Sequence, residues 1–135
     1  MNNRIEKALE NHKKGYNCSQ AVACAYCDVF GIDEETMFKV SEGFGAGMGG
    51  MQGMCGAISG AIILAGLKNS VGTENTRTKI DTYKLSKELL EKFQNKNSSI
   101  ICKELKGIDT KKVLRSCSGC IEDAVRLVDE VILNK

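Results

Sequence analysis

The centre of the chain reads GFGAGMGGMQG over residues 43–53, followed by MCGAISGAIILAGL over residues 54–67. The first part has glycine at every second or third position, which disfavours a helix because glycine loses the most backbone freedom on ordering. The second part is apolar on most of its faces from Cys55 to Leu67, as in a helix that is buried all round. The sequence therefore predicts a glycine-rich loop that leads into a buried central helix.

This central stretch carries no charged residue from Gly43 to Leu67, a length that could cross a bilayer. The glycines leave only about a dozen continuous apolar residues, which is too few for a membrane helix and typical of a core helix. We therefore expect no membrane span in this chain.

The chain before the centre repeats its apolar residues at helical spacing. One helix is predicted to run to about Asn11, and a second from near Asn17 to Gly31, because glycine commonly ends a helix. Asp33 is predicted to cap a third, shorter helix. The whole chain lacks proline and shows no convincing alternation typical of a strand.

The chain after the centre is also helical in pattern. A long helix is predicted from about Glu74 to Phe93, with a polar loop over residues 94–98 behind it. Ser99 is expected to cap a short helix that Gly107 ends, and Ser116 to cap the final helix. The apolar stripes of the long and final helices are Ile80, Tyr83, Leu90 and Phe93, and Ile121, Val125, Val128 and Ile132. The prediction is an all-α, single-domain helical bundle over residues 1–135.

Composition narrows the classes of function. The formal net charge of the 135 residues is +2, far from the basic excess of a nucleic-acid-binding protein. The N-terminus is polar and lacks an apolar signal region, so we expect a cytoplasmic protein. Its seven cysteines should then be reduced thiols or metal ligands, and their odd number argues against a complete disulfide framework.

Four of these cysteines stand where a helix is predicted to begin: Cys18, Cys55, Cys102 and Cys117. The first amides of a helix lack partners within it and carry the positive end of its dipole, so they stabilise a thiolate. Such thiolates serve as nucleophiles, redox groups or metal ligands. We therefore expect these four to share one site if the fold brings the helix starts together.

The other three cysteines are sorted by their helical position. At about 100° per residue, Cys27 lies roughly 180° around the helix from Cys18, and Cys24 about 240°. Both are expected to be small buried apolar residues, as free cysteines usually are. Cys120 lies one turn beyond Cys117 on nearly the same face, which allows a ligand, a resolving thiol or a core residue.

Shorter cysteine motifs give weaker hypotheses. The C-x-x-C spacings at Cys24 and Cys117 could suggest one zinc site, but they lie far apart and the first falls within a predicted helix. No strand precedes Cys117, which argues against a thioredoxin-like motif. Compact ferredoxin-type runs are absent, so any cluster must be assembled by the fold.

The glycine-rich stretch lacks the Lys and Ser/Thr ending of a P-loop, which disfavours nucleotide binding. Its glycines are instead predicted to let the backbone approach a cofactor or a neighbouring helix closely. The predicted cofactor-binding glycines are Gly45, Gly47, Gly49 and Gly56. The only histidine, His12, is expected to face solvent at a helix end, which disfavours histidine-based acid–base catalysis.

The blocks GYNCSQAV from Gly15, GFGAGMG from Gly43, CGAISGA from Cys55 and ICKEL from Ile101 occur in this order. In this order and spacing the chain resembles the redox-active family described by the pattern C, GCAxxG, C, C, over nearly its whole length. Here the second block has its cysteine before the glycine rather than after it. Aligning the family's closing helix matches Cys117 as the last cysteine, with Cys120 as its possible substitute.

The resemblance implies redox activity, an association with anaerobic metabolism and iron–sulfur binding, without establishing a reaction. The leading hypothesis is an electron-transfer protein that binds an iron–sulfur cluster through Cys18, Cys55, Cys102 and Cys117. One alternative is metal-free exchange between dithiol and disulfide at the same cysteines. Another is a structural zinc site in an interaction module, and a last one is that all the cysteines are structural.

The expected partner is a redox protein that the sequence does not identify, and a homodimer is plausible. The basic stretch from Lys103 to Arg115 could steer an acidic partner, although it also fits an ordinary solvated face. Ligand residues by themselves do not indicate catalytic turnover.

Overall fold

We describe a computed structural model of the protein over residues 3–133. Within this range the chain forms helices and no β-strand, as predicted from its periodicity. The helices are α1 (Asn3–Lys13), α2 (Cys18–Cys24), α3 (Cys27–Phe30), α4 (Glu34–Glu42), α5 (Gly45–Met48), α6 (Gly56–Asn69), α7 (Lys79–Asn97), α8 (Cys102–Lys106) and α9 (Cys117–Leu127), which a π-helical turn (Val128–Leu133) extends.

The apolar helix α6 lies at the centre of the bundle and packs against α2, α7 and α9. Its approach to α2 is close because Gly60 has no side chain: a Cβ there would lie 2.7 Å from the Ser19 carbonyl oxygen. The predicted buried central helix is thus confirmed, with Cys55 as its N-cap residue.

The predicted second helix is broken into α2 and α3. Tyr26 adopts φ −119° and ψ 13° between them, and its buried hydroxyl donates a 2.8 Å hydrogen bond to Asp129 beyond α9. This hydrogen bond to a residue far along the chain accompanies the break, although the apolar residues of the segment repeat continuously at helical spacing. Gly31 ends α3 in the left-handed region at φ 66°, and Asp33 caps α4 by accepting a hydrogen bond from the Thr36 amide, both as predicted.

Helix α7 differs from its predicted bounds at both ends. It begins at Lys79 and continues through the predicted polar loop to Asn97, because the Lys96 and Asn97 side chains bond the buried Asp123 of α9. The predicted stripe is only partly buried. Phe93 is fully buried, whereas Ile80 and Tyr83 are exposed.

The caps near the C-terminus mostly match the prediction. Ser116 caps α9 through the Gly119 amide, and Gly107 ends α8 at φ 70°. The N-cap residue of α8 is Ile101 rather than Ser99, although the Ser99 hydroxyl accepts a hydrogen bond from the Ile101 amide. The predicted stripe of the last helix is buried throughout: Ile121, Val125, Val128 and Ile132.

Among residues 3–133, no helix has both the length and the apolar composition that a membrane span requires.

Candidate functional site: a pocket lined by cysteines

Five cysteines line one pocket of about 180 Å³. They are Cys18, Cys55, Cys102, Cys117 and Cys120. The remaining lining residues are His12, Asn17, Ala46, Gly47, Gly56, Leu105, Lys106 and Arg115. The four cysteines predicted to converge therefore lie in one place, and Cys120 lies there with them. Cys24 and Cys27 are not among the lining residues.

Helix starts position four of these cysteines. Cys18, Cys102 and Cys117 are each the first residue of a helix. Cys55 is the N-cap residue of α6, and the amides of Ala57 and Ile58 bond its sulfur. The arrangement points the partially positive helix ends at the pocket, where they favour thiolates.

Two backbone hydrogen bonds hold the starts of α6 and α8 together. The Cys55 amide donates to the Ile100 carbonyl at 2.7 Å, and the Cys102 amide donates to the Gly53 carbonyl at 2.9 Å. These bonds flank an isolated antiparallel bridge between Met54 and Ile101. The glycine-rich segment is thereby fixed to α8, although α8 lies far along the chain.

The four predicted cofactor-binding glycines occupy different environments. Gly47 and Gly56 line the pocket, and Gly47 has φ +56°. Gly45 instead makes room for the side chain of Asn17, since a Cβ there would lie 2.3 Å from its amide nitrogen. A Cβ on Gly49, at φ +93°, would meet nothing within 4 Å. Gly45 and Gly49 do not line the pocket.

The thiols fall into two contacting pairs. Cys18 interacts most strongly with Cys117, and Cys55 with Cys120, because in each pair the partner thiol is the largest cause of the pKa shift. Cys102 shares no hydrogen bond with another thiol among the described residues, but it lies close enough to Cys55 and Cys117 to interact with their charges. The site is thus two pairs and one further thiol.

Within each pair, one thiol favours the charged form and the other the neutral form. The hydrogen bond from Cys18 lowers the pKa of Cys117 to about 5, against the effect of burial and helped by the charge of Lys106. The hydrogen bond from Cys120 likewise lowers the pKa of Cys55. The pKa values of Cys18 and Cys120 are correspondingly raised, and burial raises that of Cys102.

Three basic side chains, His12, Lys106 and Arg115, complete the lining. Attraction to the Cys117 thiolate raises the pKa of Lys106. Arg115 is held by Asp123, with its Nε 3.0 Å from a carboxylate oxygen. Gly119 leaves the space that Arg115 occupies, because a Cβ there would lie 2.5 Å from the arginine Nε.

These basic residues were not predicted as part of the site. His12 was expected to face solvent, and the position of α1 against α2 and α9 places it at the pocket instead. Lys106 did carry a signal, since it lies four residues after Cys102 and hence on the same face of a helix. Arg115 carried a signal as well, since it lies two residues before Cys117.

Among the described residues 3–133, no group of three or more His, Cys, Asp or Glu side chains is arranged to hold a single metal ion. A mononuclear tetrahedral site needs four ligands around one point.

The family model described as "Putative redox-active protein (C_GCAxxG_C_C)" matches residues 16–131. The chain belongs to this family. No curated protein and no solved structure matches the chain significantly. The matched range includes all five cysteines of the pocket.

Proposed function

We propose that the cysteine pocket is a redox centre that holds an iron–sulfur cluster and transfers electrons. The observation that carries this proposal is the convergence of five cysteines from distant parts of the chain, four of them in two contacting pairs. Cys18 with Cys117, and Cys55 with Cys120, would supply the four thiolates that a two-iron cluster requires. This grouping supports a cluster over a single zinc ion.

The surrounding residues suit a centre of negative charge. Lys106 and His12 lie close enough to Cys117 to stabilise its thiolate. The amides at the start of α6 do the same for Cys55. Ala46 and Leu105 add apolar surface to the lining. A bound cluster would supply reversible electron transfer, with a potential set by charge, hydrogen bonds to sulfur and solvent exposure.

The test is to measure iron and acid-labile sulfide per chain, with a visible spectrum, on protein purified without oxygen. We expect both, with absorption that dithionite bleaches. Cys55→Ser should abolish iron incorporation, and Cys27→Ser, outside the pocket, should leave it intact. Cys120→Ser should lose more iron than Cys102→Ser if the contacting pairs are the ligands. Equal loss in Cys55→Ser and Cys27→Ser, or metal-free protein after reconstitution, would reject the proposal.

A second candidate is thiol–disulfide exchange, favoured by the contact between Cys18 and the more acidic thiol of Cys117. The Cys117 thiolate would attack a partner's disulfide, forming a mixed disulfide and releasing one partner thiolate. Cys18 would then attack the Cys117 sulfur, release the second partner thiol and form the Cys18–Cys117 disulfide. Two electrons pass to the partner, and the proton of Cys18 passes to its leaving sulfur.

Mapping of alkylated peptides distinguishes thiol–disulfide exchange from cluster binding. After treatment of metal-free protein with a mild disulfide oxidant, exchange chemistry predicts a bridge between Cys18 and Cys117. Absence of any bridge among Cys18, Cys55, Cys102 and Cys117 would reject it.

We further propose that an acidic redox partner docks on the loop over residues 107–115. The loop follows Lys106 and ends at Arg115, which both line the pocket. It exposes Ile108 and Val113 beside Lys111 and Lys112, an apolar centre with a basic rim. Reduction by an acidic electron-carrier protein should slow with added salt and in a double Lys111→Glu, Lys112→Glu variant. The same reversal at Lys84 and Lys87 of α7 is the control, and equal slowing there would reject this site.

The cytoplasmic location and the homodimer are also proposals. A cytoplasmic location suits seven cysteines that are free of disulfides, since reducing compartments maintain thiols. Formation of a homodimer is a separate prediction.

A further inference from the structure

Cys24 and Cys27 form another pair of thiols, outside the cysteine pocket. Cys24 is the last residue of α2, and Cys27 is the first residue of α3. The two thiols lie close enough that each changes the pKa of the other, although burial is the larger cause of both raised pKa values. The sequence predicted two small buried residues within one continuous helix. Cys24 is buried as predicted, whereas Cys27 is only partly buried and begins a new helix.

The geometry of the break suits a bond between the two sulfurs. Ala25 and Tyr26 form the turn between the cysteines, and both are fully buried. The Tyr26 hydroxyl anchors the turn to Asp129 and to the Val125 carbonyl. A disulfide requires Cα atoms about 4.4–6.8 Å apart and sulfurs that face each other. Residues three apart in a helical turn satisfy the first condition, and the interaction between the two thiols places them on the same side of the turn.

The two thiols differ in access. Cys24 is 1% exposed, whereas Cys27 is only partly buried. The exposed face of α3 begins directly after Cys27, with Asp28 and Val29. Cys27 is therefore the more accessible of the two thiols, and Cys24 lies behind it in position to resolve a mixed disulfide.

We propose that Cys24 and Cys27 form a reversible disulfide when the protein meets an oxidised low-molecular-weight thiol, at a modification site separate from the pocket. Cys27 loses its proton to solvent, and the thiolate formed attacks one sulfur of the small disulfide, forming a mixed disulfide and releasing one small thiolate. Cys24 loses its proton to solvent and attacks the Cys27 sulfur, which releases the second small thiolate. The protein dithiol is oxidised by two electrons, and the small disulfide is reduced to two thiols.

The test uses the full-length reduced protein and oxidised glutathione as the probe. Chymotrypsin cleaves after Tyr26, between the two cysteines, so a Cys24–Cys27 disulfide holds two fragments together until a reductant separates them. We expect this linked pair in the wild-type protein after oxidation, with tandem mass spectrometry placing the bond at Cys24 rather than at Cys18 of the same fragment, and its loss after dithiothreitol. No variant is needed for this measurement, so it does not depend on how a substituted chain folds.

Two single variants test the order of attack, with circular dichroism to confirm that each is folded. Cys24→Ala should accumulate one glutathione on Cys27, because the resolving thiol is missing. Cys27→Ala should leave Cys24 unmodified, because its sulfur is buried. Glutathione on Cys24, a bridge from either cysteine to one in the pocket, or free thiols at both positions would overturn the proposal. The expected products, glutathione on Cys27 and the Cys24–Cys27 disulfide, are measured independently of iron binding, since neither involves a pocket cysteine.

Discussion

Gly47 lies so close to Cys102 that a Cβ on the glycine would stand 2.4 Å from the cysteine Cβ. Gly47 also has φ +56°, a conformation that costs an L residue roughly 1–2 kcal/mol. The glycine-rich segment and α8 can therefore share the pocket wall only while this position has no side chain. This close packing explains why residue 47 is a glycine. The other glycines of the segment have different surroundings.

We predict that Gly47→Ala destabilises the protein by about 2–4 kcal/mol, because backbone strain adds to overpacking against Cys102. Urea unfolding of the metal-free protein measures this change. Gly43→Ala is the matched control, since Gly43 has helical φ and ψ and an added Cβ meets nothing within 4 Å. Its unfolding free energy should change by less than about 1 kcal/mol. Similar losses in both variants would contradict the packing argument.

The acidity of Cys117 gives a prediction about reactivity. With its pKa lowered to about 5, Cys117 is mainly a thiolate at pH 6, whereas an ordinary thiol with a pKa near 8.5 is almost wholly protonated there. Alkylation of Cys117 by iodoacetamide in reduced, metal-free protein should slow less than about twofold from pH 9 to pH 6. An unperturbed thiol should slow by more than about a hundredfold over that range.

Two variants separate the causes of this acidity. Cys18→Ala removes the hydrogen bond that lowers the pKa of Cys117 most, and Lys106→Met removes a smaller contribution from charge. Both should shift the alkylation profile to higher pH, Cys18→Ala further. Lys103→Met is the control, because Lys103 pairs with Asp109 at 3.2 Å and does not line the pocket. An unchanged profile in Cys18→Ala would show that the thiol contact does not set the acidity.

Sequence periodicity predicted the central helix and the positions of four cysteines at helix starts, because both depend on local composition. It could not show which neighbour covers each face. Ile80 and Tyr83 share a stripe with Phe93, yet only Phe93 meets other helices in the core. His12 lines the pocket because α1 packs against α2 and α9. Arg115 is held there by Asp123, eight residues further along the chain. The C-x-x-C motif at Cys24 likewise spans two helices rather than one, because Tyr26 breaks the predicted helix.

Asp123 supports the basic side of the pocket, and its loss should destabilise the fold. Its side chain is 1% exposed and bonds Arg115 and Lys96 as well as Asn97. Burial alone would raise the pKa of Asp123, but these hydrogen bonds outweigh it and hold the pKa below its usual value. We predict that Asp123→Asn loses about 1–3 kcal/mol of unfolding free energy at pH 7.

The stability that Asp123 contributes should depend on pH in a definite direction. A depressed pKa in the folded state means that the contribution of Asp123 is fully present above the unfolded pKa near 3.9 and is lost as pH falls through the lower folded value. The difference in stability between wild type and Asp123→Asn should therefore narrow in acid. Asp109→Asn, at an exposed ion pair, should change stability by less than about 0.5 kcal/mol. A difference independent of pH would contradict an ionic role for Asp123.

Helix α7 offers a paired test of which apolar residues form the core. Leu89 is fully buried, whereas Ile80 is 53% exposed. Leu89→Ala should cost about 2–4 kcal/mol, because it leaves a cavity. Ile80→Ala should change the unfolding free energy by less than about 0.5 kcal/mol in the monomer. If Ile80→Ala proves as costly, and if the melting temperature rises with protein concentration, then this face is covered by a second copy of the chain. A large cost without any dependence on concentration would contradict the exposed position of Ile80 itself.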